Sequence, residues 1–351
     1  MTVPDQAKVE QLVGKVMGDF AGAVGALLVR IGEQNGLFKS LAEGPATSDG
    51  LAKRSGTAER YVREWLSAMA AAGYVTYDPA RKEFSLTPEQ AVVFAYEGSP
   101  AYMPPFGDNL VAMVHDEPKI TAAFKTGKGV PWGEHHQCLF SGTERFFRPV
   151  YAAHLLENWL PALDGMVDKL KRGANVADIG CGYGSSTILM AKAFPNSRFH
   201  GFDFHGPSIE KARERAREAG VTNASFEVAA AKTFPGTDYD LVAIFDALHD
   251  MGDPVGAARH VRTTLKPDGV WMVVEPLAGD KLEDNLNLLG ALFYGGSTLV
   301  CTPASLSQEV GLALGAQAGE ARLSAVLKEG GFSRVRRATQ SEANMVLEAR
   351  L

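Results

Sequence analysis

Residues 178 to 184 read DIGCGYG, with glycine at 180, 182 and 184. A loop without Cβ atoms turns tightly and lets a ligand come closer to the backbone than any side chain would allow. The loop follows the β-branched run VADI (176–179) and precedes a helical pattern from about Ser185, whose free N–H groups would face that ligand. Nineteen residues past Gly184 stands Asp203, at the end of the next strand pattern, where a carboxylate can accept hydrogen bonds from ribose hydroxyls. A dinucleotide fingerprint needs a third glycine at position 185, and the residue there is Ser185, which argues against a nicotinamide-dependent oxidoreductase. The other chemistry-bearing run is IFDALHDMGDP (244–254). It contains His249, whose imidazole is the side chain best matched to removing a proton near neutral pH.

Elements must hold these residues together. Strand patterns recur at 176–179, 198–203, 225–229, 240–246 and 270–275, with helical patterns at about 185–194, 207–219 and 254–265, the spacing of repeated βαβ units. The expected fold class is therefore α/β, with a Rossmann-like parallel sheet. Ligands of such sheets bind beyond the carboxyl ends of the strands, which places Phe245, Asp246 and His249 beside the glycine loop. The tail offers a helix at 320–330 and two runs, 333–338 and 344–350, close enough to pair antiparallel. In the N-terminal part, apolar residues from Val9 to Ile31 fall at steps of three and four and predict one long helix over 6–31. TSDGLAKRSG through GYVTYD (47–78), followed by FSLT (84–87), reads as a winged helix-turn-helix. Three segments follow: a helical and winged-helix domain over 1–97, a connecting helical layer over 98–170, and a ligand-binding domain over 171–351 with a lid insert at 281–319.

The pattern D-x-G-x-G-x-G after strand one, with an acid ending strand two, resembles the class I S-adenosylmethionine-dependent methyltransferases over residues 145 to 351. That resemblance implies a seven-stranded sheet with an antiparallel last strand and S-adenosyl-L-methionine as methyl donor. Gly180, Gly182 and Gly184 would surround the amino-acid moiety, with Asp178 near its ammonium group and Asp203 on the ribose. Where the family carries an aspartate for the adenine amino group, this chain has Ala230 and Ala231, so adenine is left backbone and van der Waals contacts, with Phe204 available to stack. LHDMGD (248–253) is similar to the LHDWSD-like segment of plant-type small-molecule O-methyltransferases. The resemblance makes His249 the general base and Glu275, in VVEP, its orienting carboxylate. A second flanking glutamate of that family has only Gln317, or Glu320 three residues on, near its register, and Met251 replaces a tryptophan. The alternative for His249 is a structural or pocket-wall role. N-, C- or lipid-directed methyl transfer, and a donor-sensing transcription regulator, are the rival functions.

Several features bound the rest. In 351 residues, 46% are hydrophobic and three are cysteine, with a formal charge of −6, which fits a cytoplasmic globular protein and no disulfide framework. Asp5, Lys8 and Glu10 interrupt what a secretion signal would keep apolar, and the longest apolar run, Phe20 to Val29, is short of a membrane span. Residues 1–100 hold 10 Lys and Arg against 12 Asp and Glu, and Glu59 and Glu64 offset Arg60 and Arg63, so DNA is not an expected partner. The family's first domain mediates dimer formation, and the helix over 6–31 is apolar enough to supply a homodimer contact. Phe147, Tyr151 and Tyr294 are candidates for the small-molecule acceptor pocket. Asn285 and Asn287 would be polar handles on the lid, while Leu288, Leu289, Leu292 and Phe293 pack. Asp246, Asp250, Asp253 and Glu275 could suggest magnesium, but no clear third ligand follows. Asp250 or Asp253 reads as the cap of a helix starting near Pro254, and the metal expectation is none. Neither Cys181 nor Cys301 has a basic neighbour in sequence to lower its pKa.

Overall fold

The computed structural model describes residues 3–351, in two compact units. One unit comprises the chain to Ala112 together with Ser141–Pro149, and the other comprises Met113–Phe140 and Val150–Leu351.

In the first unit, helix Gln6–Gln34 is capped by Asp5, whose carboxylate accepts from the N–H groups of Ala7 and Lys8. It ends beside the short helices Leu37–Ala42, Ser48–Ser55 and Glu59–Ala71 and the hairpin β1 (Thr76–Asp78) and β2 (Glu83–Ser85), the winged helix expected from the sequence. Trp65 fixes the join. Its indole N–H donates to Leu28 O at 2.8 Å, and its ring lies where a Cβ on Gly32 would come within 2.3 Å, so only glycine admits it. Phe38, Leu41, Leu51, Leu66 and Met69 complete this core.

The second unit is built on β3 (Asn175–Ile179), β4 (Arg198–Asp203), β5 (Ala224–Val228), β6 (Tyr239–Phe245), β7 (Leu265–Pro276), β8 (Arg334–Gln340) and β9 (Asn344–Arg350). Their order is β5-β4-β3-β6-β7-β9-β8, with β3 to β7 parallel and β9 antiparallel to both neighbours. This is the seven-stranded sheet that the tail pattern and the resemblance imply. β6 is buried at every position, as a strand covered on both faces must be, and from Leu241 to Phe245 reads as a continuous apolar run. The order reverses between β4–β3 and β3–β6, and ligand crevices of open sheets form at such a switch point.

Candidate active site

The glycine loop leaves β3 and enters helix Ser185–Ala193. Gly182 adopts φ +52° and a Cβ there would meet nothing within 4 Å, so the backbone at this position faces open space. Gly184, at φ +76°, is glycine for an internal reason: its Cβ would come within 2.7 Å of the Phe226 ring. Gly180, at φ +69°, turns the chain off the strand and donates its N–H to Phe202 O at 2.7 Å.

Two carboxylates flank this loop. Asp203 is buried at the end of β4, accepting from Gly182 N–H at 2.9 Å and His205 N–H at 2.8 Å. Burial raises its pKa, partly offset by these two bonds. Asp178 is also buried; one oxygen accepts from the Ser186 and Thr187 hydroxyls, both at 2.6 Å, and the other has no partner. Burial pushes Asp178 up to about 6, against the two hydroxyl donors. A buried carboxylate oxygen without a partner is costly in isolation and marks a place where a ligand donor fits. Loop, carboxylate and orphan oxygen suit a nucleoside bearing a cationic amino-acid tail.

At the carboxyl end of β6 the chain turns through Asp246, at φ +49°, unusual for a residue with a side chain. Its carboxyl receives hydrogen bonds from Asn344 Nδ2 at 2.7 Å and from Tyr151, while its second oxygen is buried without a partner. Burial, reinforced by the Glu275 carboxylate, pushes Asp246 up to about 8. Phe245 lies in the core, 5.3 Å from the Tyr151 ring. The turn Leu248–Asp250 then presents His249, whose Nδ1 sits 2.6 Å from Glu275 Oε2. The other Glu275 oxygen accepts from Leu248 N–H at 2.8 Å, so the carboxylate is held at both ends. Burial opposes charging of His249, yet the Glu275 carboxylate and the Cys301 thiol outweigh it and raise its pKa well above the ordinary histidine value. Burial also pushes Asp250, next in the turn, up to about 7.

The remaining expected residues scatter. Phe204 is 54% exposed, its ring available to stack. Ala230 is exposed at the end of β5 and Ala231 packs against the core. Tyr294 is half-buried on helix Leu288–Gly296. Phe147 falls in the first unit, edge-on to Phe146 at 5.3 Å.

Four expectations change. Asn285 is buried, bridging Gly279 and Lys281, and Asn287 caps helix Leu288–Gly296 through Gly290 N–H, so both build the insert and are not polar handles. Leu288 and Leu292 do not pack: they are 88% and 41% exposed. Gln317 and Glu320 bond elsewhere than to His249: Gln317 donates to Ala316 O at 3.1 Å and Glu320 pairs with Arg337 at 2.7 Å. The atom on the far side of the imidazole is Cys301 Sγ, 3.3 Å from Nε2, a basic contact that sequence neighbours did not disclose. Of the two cap candidates, Asp253 caps helix Pro254–Thr264. Among the described residues, no group of three His, Cys, Asp or Glu could hold a metal.

Residues 170–320 match the family model described as a methyltransferase domain, and residues 23–95 that of an Rv2258c-like winged HTH domain. The chain is 32% identical over 161 residues to the sterol 24-C-methyltransferase ERG6A of Gibberella zeae, a match covering 45% of this chain and 40% of that one. The chain thus spans two-fifths of the length of this curated relative. Across nearly the whole chain the fold is that of the mitomycin 7-O-methyltransferase MmcR (22% identical, TM-score 0.70, covering 99% of this chain and 100% of that one). It is also that of human N-acetylserotonin methyltransferase in complex with SAM (17% identical, TM-score 0.72, covering 100% and 99%).

Proposed function

We infer that this chain, whose residues 170–320 form a methyltransferase domain, is an S-adenosylmethionine-dependent methyltransferase acting on the oxygen of a small-molecule acceptor. The observation that carries the reading is the buried His249–Glu275 pair, 2.6 Å apart, at the same end of the sheet as the glycine loop and Asp203. When bound, S-adenosylmethionine supplies a methyl carbon already activated by its positive sulfur. What remains for the protein is alignment and a proton. Asp203 would hold the ribose hydroxyls, Gly182 would clear space for the amino-acid part, and the unpartnered Asp178 oxygen would draw its ammonium group through the loop. Phe204 would stack on adenine beside Ala230 and Ala231, and Phe245 and Asp246 would wall the crevice near the sulfur. His249 takes the acceptor proton at Nε2, and Glu275 keeps the other nitrogen protonated and the ring oriented. Tyr151 and Tyr294 contribute to the acceptor side.

We read the winged helix as a dimerisation module and not a DNA reader. Arg60 and Arg63, the basic residues on its longer helix, are each committed 2.6 Å from Glu64 and Glu59. Helix Gln6–Gln34 is by length and composition apolar enough to cross a membrane, and most of it is exposed. Its Lys15–Asp19 pair, 2.6 Å apart in mid-helix, suits a homodimer contact better than a lipid core, where charge is expensive. Cys138, Cys181 and Cys301 stand outside any disulfide, which suits the reducing cytoplasm.

Titration calorimetry with S-adenosylmethionine and S-adenosylhomocysteine tests the donor, and a methyl-consumption screen over phenols, alcohols and amines tests the acceptor. Saturable binding of both nucleosides and a methyl ether product are expected. Absence of nucleoside binding overturns the reading, and an N-methyl product overturns the oxygen assignment.

A further inference from the structure

We propose that Cys301 is a modification site, a nucleophilic thiol built onto the far nitrogen of the His249–Glu275 pair, which takes soft electrophiles such as haloacetamides and hydroperoxides. Cys301, His249 and Glu275 line up as thiol, imidazole and carboxylate, with Sγ to Nε2 3.3 Å and Nδ1 to Oε2 2.6 Å. This is the arrangement by which an imidazole activates a cysteine: the base takes the thiol proton and a third group orients the base.

The contact is built, not incidental. Cys301 ends a π-helical turn, Ser297–Cys301, whose extra residue re-aims the side chains after helix Leu288–Gly296. The segment beyond is stapled to the histidine turn at several points. Ser305 Oγ donates to Met251 O at 2.8 Å, Gln308 accepts from Gly252 N–H and donates to Asp250 O, both at 3.1 Å, and Gly315 N–H donates to His249 O at 3.2 Å. Cys301 is also half-buried and so reachable, whereas Cys181 is sealed among Ile188, Ile209 and Phe226.

The chemistry balances with the electrophile named. The Cys301 S–H proton passes to His249 Nε2, giving an imidazolium held by Glu275. With iodoacetamide the thiolate attacks the carbon bearing iodine; the C–S bond forms, the C–I bond breaks and iodide leaves. With hydrogen peroxide the sulfur attacks one oxygen and the O–O bond breaks. Sulfur is oxidised by two electrons to the sulfenic acid, peroxide is reduced, and the imidazolium proton leaves with hydroxide as water. Either adduct occupies the space at Nε2. Its effect on turnover rests on reading His249 as the base; its formation does not.

The full chain, treated near pH 7 with limiting iodoacetamide and followed by peptide mass spectrometry, carries its own references. Cys301 should label roughly tenfold faster than half-buried Cys138. Cys181 should stay unlabelled, reporting an intact fold. His249→Asn and Glu275→Gln should each bring Cys301 down to the Cys138 rate. Equal rates for Cys301 and Cys138 in the unsubstituted protein overturn the proposal, as does an unchanged Cys301 rate in both variants with Cys181 protected. If the variants expose Cys181, the comparison within the unsubstituted protein decides. Prior alkylation should also shield His249 from diethyl pyrocarbonate, and unchanged histidine labelling overturns the occupancy of Nε2. Loss of S-adenosylhomocysteine binding without alkylation would count against the methyltransferase reading while leaving these thiol rates to stand.

Discussion

A histidine that must lose a proton to act as a base is slowed by the carboxylate that orients it. With its pKa raised by Glu275 and Cys301 against burial, His249 keeps a proton to higher pH than an ordinary histidine, so the rate should climb with pH along a limb lying above the ordinary histidine range. The acids facing it from its own turn and the preceding strand end, Asp250 and Asp246, are both raised by burial, to about 7 and about 8. Glu275→Gln should therefore move the rising limb of the pH–rate profile to lower pH while lowering its plateau by about 10–100-fold. An unmoved limb would show that Glu275 does not set the base. Asp178 makes the opposite kind of statement, about stability. Its folded pKa, about 6, lies above the ordinary 3.8, so its contribution is complete below pH 3.8 and is lost as pH rises through about 6. Asp178→Asn should gain roughly 1–3 kcal/mol at pH 8 and little at pH 4 by thermal unfolding, while weakening S-adenosylhomocysteine binding. Both residues were legible because strand ends and motif spacing announce them. Cys301 was not, since 52 residues separate it from His249 and the π turn with the bonds beyond it brings it back.

Elements were legible where burial imposes a pattern. β3 to β7 are runs of apolar and β-branched residues between turn residues, and each emerged within a few residues of its expectation save β7, which begins five residues early through Leu265–Gly269. The stretch from 98 to 149 carries only weak periodicity, yet helices Phe106–Thr126 and Cys138–His154 begin in it, each with an internal proline. Proline removes a backbone donor and reads as a breaker, so neither helix could be bounded from sequence. The glycine loop gives the sharpest element-scale prediction, because its glycines do different work. Gly184→Ala meets the Phe226 ring, itself locked among Ile209 and Ala212, and should cost about 1–3 kcal/mol of stability. Gly182→Ala meets nothing, so it should cost only about 1 kcal/mol of backbone strain yet weaken S-adenosylhomocysteine binding tenfold or more. Thermal unfolding and calorimetry on the two variants should rank them oppositely. The same rank in both measurements would mean that the open face of Gly182 is not where the nucleoside lies.

At the scale of the whole molecule, helix Gln6–Gln34 poses the largest energetic question. Val9, Leu12, Val13, Val16, Met17, Phe20, Val24, Leu27 and Ile31 are all exposed, and among its described side chains only its last third is tied to the winged-helix core, through Val29 and the Leu28 carbonyl. An apolar stripe of that length is unfavourable in water at about 25 cal/mol for each Å² left exposed, and monomeric proteins rarely tolerate one. The periodicity made the helix legible from sequence, but whether it packs within its own domain or against another chain depends on what covers the stripe, which periodicity does not encode. A second copy, the occupant proposed above, would cover it by symmetry, since an isologous contact sets the same stripe against itself. Phe20→Glu places a charge in the middle of that contact at a residue 65% exposed in the single chain, so the fold should be kept and the pairing lost. Light scattering after size exclusion should give a dimer for the unsubstituted protein and a monomer for the variant, with thermal unfolding lowered only by the lost association. A monomer in both cases would remove the homodimer, and sedimentation of the unsubstituted protein with phosphatidylcholine vesicles, abolished by the same substitution, would assign the stripe to lipid instead.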